Sequence, residues 1–70
     1  MNIGRSLKIA LVMKEMRQTE LAEKIGCNQS NISYWASRGS KIHLETVEKL
    51  ASALGYPVSE FIALGEEKAA

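Results

Sequence analysis

The run from Leu21 to Ala36 restricts what this chain can fold into more than any other stretch. Leu21, Ala22 and Ile25 recur at the spacing of an amphipathic helix, the run breaks at Gly26-Cys27-Asn28, and Ile32, Trp35 and Ala36 resume the same period beyond it. Gly26 is the residue best able to take left-handed backbone at a helix C-terminus, and Asn28 can cap the helix that follows. Two short helices joined by so tight a turn cross steeply and touch near the corner, where only a small side chain fits. Ala22, four residues before the glycine, is that side chain. Leu21 and Ile25 on one side and Ile32 and Trp35 on the other then close a wedge that docks on the rest of the chain.

The rest of the chain is helical too. Asn2 can cap a first helix in which Ile3, Leu7, Ala10 and Leu11 share a face, running to about Met16. A fourth helix runs from about Leu44 to Leu54 with Leu44, Val47, Leu50, Ala51 and Leu54 in line, and a fifth follows Pro57 with Val58, Phe61, Ile62 and Leu64. Gly26, Gly39, Gly55-Tyr56-Pro57 and Gly65 punctuate the pattern, and strand-like alternation appears nowhere. The expected fold is all-α: a compact five-helix bundle containing a helix-turn-helix, with one domain over residues 1–65 and a flexible tail over 66–70.

Seventy residues allow one domain, which buries only about 60% of its unfolded surface. A single cysteine excludes an internal disulfide, no signal-like segment opens the chain, and no apolar run approaches the roughly 20 residues of a membrane span. A soluble protein of the reducing cytoplasm is expected. Net charge is +1, but it is unevenly spread: residues 1–44 carry seven cations against three anions, +4, and residues 45–70 two against five, −3. That asymmetry suggests that the first two thirds face a polyanion.

Other reactive side chains have plain readings. Cys27 is a small apolar filler in a turn, His43 a surface or capping side chain, and Met13 and Met16 core or rim filler. Two ligands sixteen positions apart fall short of the usual four of a structural metal site. No nucleophile stands with a base and an orienting acid in a known motif, so no catalysis, cofactor or small-molecule ligand is expected.

Three segments, Q-T-E-L-A-E-K-I-G at Gln18 to Gly26, Q-S-N-I-S-Y-W at Gln29 to Trp35 and V-E-K-L-A-S-A-L-G at Val47 to Gly55, resemble the lambdoid phage repressor and Cro type of helix-turn-helix DNA-binding domain. The resemblance spans roughly Ile3 to Leu64. It implies a five-helix bundle whose third helix enters the major groove of double-stranded DNA. It also implies that the glutamine at Gln29 reads a base while the one at Gln18 contacts a phosphate and braces its neighbour.

The residues agree with it. With Ile32, Trp35 and Ala36 turned inward, Ser30, Ser33, Tyr34 and Ser37 form the opposite face of the third helix, uncharged and rich in hydrogen-bonding groups. Water would be served by Lys and Glu, whereas base edges offer mixed donors, acceptors and thymine methyls. Gln29, Ser30, Ser33 and Tyr34 are therefore the expected base readers, Gln29 through its ability to pair bidentately with adenine. Phosphate or bracing contacts are expected from Arg17, Gln18, Asn28, Asn31, Ser37, Arg38 and Lys41, with the N-terminus of the second helix as a phosphate seat. Lys24, beside Glu20 and Glu23, is expected to be solvated surface.

The chain departs from the family in three places. Arg17 replaces the usual Ser, Thr or Asn cap of the second helix. Leu11 and Ala36 occupy the region where many members pair an arginine with a glutamate. The A-S-R-G-S-K stretch is about one residue longer than the common form. The reading is a sequence-specific transcriptional regulator of phage or prophage repressor type, binding a pseudo-palindromic site as a weak homodimer promoted on DNA through Phe61, Ile62 and Leu64. Its rival is a protein-interaction or antitoxin-like subunit of the same fold.

Overall fold

Asn2 starts the first helix by accepting the Arg5 backbone N–H on its side-chain oxygen at 3.0 Å. The computed structural model describes residues 2–38 and 42–66, with helices α1 Ile3–Met13, α2 Gln18–Ile25, α3 Gln29–Arg38, α4 Leu44–Leu54 and α5 Val58–Leu64 and no strand among the described residues. Gly39, Ser40 and Lys41 lie outside the described residues, as do Met1 and Glu67 to Ala70, so the expected phosphate contact at Lys41 and most of the expected tail lie there too.

The first helix is shorter than its apolar period suggests. It ends at Met13, after which Lys14 closes it and Glu15 takes left-handed backbone with φ 51°. The Met16 N–H then reaches back to the Leu11 carbonyl at 2.9 Å and the Glu15 N–H to that of Val12 at 3.1 Å, the paired bonds of a Schellman ending. Met16 thus returns to the core by a reversed turn rather than by another helical one, and periodicity cannot tell the two apart.

Helix α1 packs on α3, α4 and α5, α2 packs on α3 and α4, and α4 packs on α5. At the centre Leu7, Leu21, Ile32, Leu50 and Phe61 are wholly buried. Leu11 and Ala36 are buried as well, an apolar filling where many family members place an ion pair. Two small residues let α1 approach its neighbours. A Cβ on Gly4 would stand 2.7 Å from the Ala36 carbonyl oxygen, so only glycine lets the α1 backbone lie against the end of α3. Ser6 is buried and donates its hydroxyl to the Ile62 carbonyl at 3.2 Å, tying α1 to α5 without leaving a polar group unpaired.

Four expectations change here. Leu44 is 65% exposed, because α4 meets the core only from Val47 onward. Met13 is exposed while Met16 packs on the core. Phe61 is wholly buried and belongs to the core, while Ile62 and Leu64 pack against it half-buried and keep part of their surface exposed. Lys24 is not merely solvated: its ammonium donates to the Ala53 carbonyl at 3.2 Å, meeting one of the last carbonyls of α4.

Candidate nucleic-acid interface

The corner between α2 and α3 is built on backbone chemistry. Gly26 sits at φ 75°, and the Ala22 carbonyl accepts both its N–H and that of Cys27, the latter at 2.9 Å. Ala22 itself is buried where the two helices meet, and Cys27 packs half-buried on the core as a small filler. The Asn31 N–H bonds to the Asn28 carbonyl at 3.0 Å as α3 begins. This corner fixes which face of α3 looks outward.

Ile32 and Ala36 are buried and Trp35 is half-buried, while Gln29, Ser30, Asn31, Ser33, Tyr34, Ser37 and Arg38 are exposed. The four expected base readers therefore share one outer face. Tyr34 stands 60% exposed, so its phenol has no place in the core. The two glutamines are joined: Gln29 Nε2 donates to Gln18 Oε1 at 2.8 Å. An amide carries two donors and an acceptor oxygen, so this bond leaves the Gln29 oxygen and one of its N–H groups to other partners, and both N–H groups of Gln18. The pair is half-immobilised before any ligand arrives.

The other expected contacts differ in what they can offer. Arg17 is extended and exposed immediately before α2, and its own N–H bonds to the Glu20 carboxylate at 3.0 Å. A guanidinium has no acceptor, so Arg17 cannot return the bond as Ser or Thr would, and the helix start keeps donors in its first turn for an outside acceptor. Sequence reasoning missed Glu20. A Glu three residues into a helix is half of a capping-box signal, but Arg17 at the cap position hid it. Ser37 turns its hydroxyl back to the Ser33 carbonyl at 2.8 Å, with the Tyr34 carbonyl at 3.4 Å, so its only proton is engaged within α3. Arg38 is exposed in the last turn of α3, where a cation also suits the helix dipole.

A helix, a glycine turn and a second helix with a polar outer face, docked on three further helices, make this an all-α helix-turn-helix domain of the DNA-binding regulatory class. The sequence matches the helix-turn-helix family (HTH_3) over residues 7–61, and the chain belongs to that family. A comparison with curated proteins found no match. No helix among the described residues is long and apolar enough to cross a membrane.

Proposed function

We propose that this chain is a sequence-specific transcriptional regulator of phage or prophage repressor type, acting in the cytoplasm by inserting α3 into the major groove of double-stranded DNA. The hydrogen bond between Gln29 and Gln18 carries the reading. It leaves Gln29 with one donor and its acceptor oxygen, the pair that adenine N7 and N6 take, and it leaves both Gln18 N–H groups to donate to a phosphate oxygen. Ser30, Ser33 and Tyr34 extend the base-reading face. Arg17, the start of α2 and Arg38 hold the backbone, with Asn28 and Asn31 flanking them, and Lys41 is proposed from the sequence as a further phosphate contact. One domain of this size covers one half-site, so two copies on a pseudo-palindromic operator complete the complex.

The low net charge favours a second reading, a protein-interaction or antitoxin-like subunit that uses α3 against another protein. Sites selected from random duplexes and a salt titration separate the two. A regulator loses affinity linearly with the logarithm of salt, whereas an adaptor has neither appreciable affinity nor a counterion-release slope. On the selected site Gln29→Ala should cost about 1–3 kcal/mol and leave random DNA almost unchanged. Arg17→Ala should weaken both kinds of site alike and flatten the salt slope by about one unit. If both variants lower specific and random binding in the same proportion, α3 does not read DNA.

A further inference from the structure

The outer face of α3 is neutral over most of its length. Gln29, Ser30, Ser33, Tyr34 and Ser37 are exposed along it, and the helix holds no acidic residue and no cation before Arg38 in its last turn. Recognition helices meet base edges through their N-terminal residues, and Arg38 stands about 13.5 Å beyond Gln29 along the axis. Guanine is held best by a cation on its paired acceptors, and cytosine by a carboxylate on its amino group. The leading end of α3 carries neither. Its hydrogen-bonding groups point the same way. One Gln29 N–H is committed to Gln18, so a single donor and the oxygen remain, which match adenine and not the two acceptors of guanine. Ser37 has its proton on the Ser33 carbonyl and can meet a base only as an acceptor.

Tyr34 supplies the apolar part of the face, standing 60% exposed. It follows Gln29 by about 7.5 Å along the helix, which at about 3.4 Å per base pair spans roughly three pairs. Its ring offers carbon surface to a thymine methyl, the apolar group on a major-groove edge. We propose that α3 selects a short run of A·T pairs, with adenine under Gln29 and a thymine methyl against Tyr34, and requires no G·C pair between them. The inference rests on the DNA reading proposed above and deepens it by naming the class of site. Ser30 and Ser33 pair with any base and fill the interval without opposing this choice.

Selection of sites from random duplexes with the whole chain, followed by affinities on base-substituted duplexes, tests it. The pair beneath Gln29 is the one whose preference disappears in Gln29→Ala. It should be A·T, and its exchange for G·C should cost wild type about tenfold or more. Uracil in place of one selected thymine removes only a methyl group and should weaken wild-type binding by about threefold. Tyr34→Phe should keep that sensitivity and Tyr34→Ala should lose it. A G·C pair at the Gln29 position, a required G·C pair between the two contacts, or no position tied to Gln29 each overturns the inference while leaving DNA binding itself in place. Wild type indifferent to uracil at every selected thymine, or uracil sensitivity that survives Tyr34→Ala, overturns it equally. Selection that enriches no site, with binding independent of salt, would instead remove the DNA reading and the inference with it.

Discussion

Gly26, Gly55 and Glu15 all hold left-handed backbone at helix ends, with φ 75°, 82° and 51°. Glycine takes that conformation without a Cβ penalty, whereas Glu15 bears one on the order of 1 kcal/mol that its Schellman bonds offset. Glu15→Gly should therefore raise stability by about 0.5–1 kcal/mol, after allowing for the greater freedom of glycine in the unfolded chain. Urea unfolding at micromolar concentration would measure it, and a lower midpoint would mean that the glutamate side chain contributes more than its backbone costs. The same residue scale explains why Lys24 eluded its reading. Its neighbours along α2, Glu20 and Glu23, are visible in the sequence, but the Ala53 carbonyl it bonds lies 29 positions away.

Between elements, the geometry of α2 against α3 decides what α3 can present. Ala22 is 3% exposed at their corner, and its carbonyl anchors the turn, so the helices cannot separate without losing both packing and the turn bonds. Ala22→Val should overpack this contact and destabilise the domain by roughly 1–3 kcal/mol. An unchanged urea midpoint would show that the helices have room to spare there. The junction of α1 with α3 is closer still, since Gly4 admits no Cβ beside the Ala36 carbonyl. A glycine inside a helical pattern usually reads as a weak point, so this contact was illegible until α3 was in place.

For the whole molecule the margin is small. A chain of 70 residues is held by roughly 4–10 kcal/mol, and its centre is few side chains deep. Phe61 is the largest of the wholly buried ones. Phe61→Ala should remove about 3–5 kcal/mol, a large share of that margin, and thermal circular dichroism should show a markedly lower melting temperature. A variant that keeps its melting temperature would place Phe61 outside the cooperative core.

Local chemistry made most of this legible in advance. Helix existence and most boundaries follow from short-range signals, the cap at Asn2, the glycines at 26 and 55, the proline at 57 and the apolar period between them, because helices are closed by bonds four residues apart. The outer face of α3 was legible for the same reason: once Ile32 and Ala36 point inward, the opposite positions are set by 3.6 residues per turn. The hydrogen bond from Gln29 to Gln18 crosses a turn of known type, and the expected bracing between the two residues came with the family resemblance. Tertiary structure alone decided which apolar faces are covered. A helical stripe says that a face is apolar, not that another element reaches it, so Phe61 and Leu44 look alike in sequence yet end at 0% and 65% exposed. Leu44 lies before the first turn that meets the core, Phe61 falls where α5 closes the bundle, and Val12 and Met13 lie on the side of α1 that none of the described helices covers.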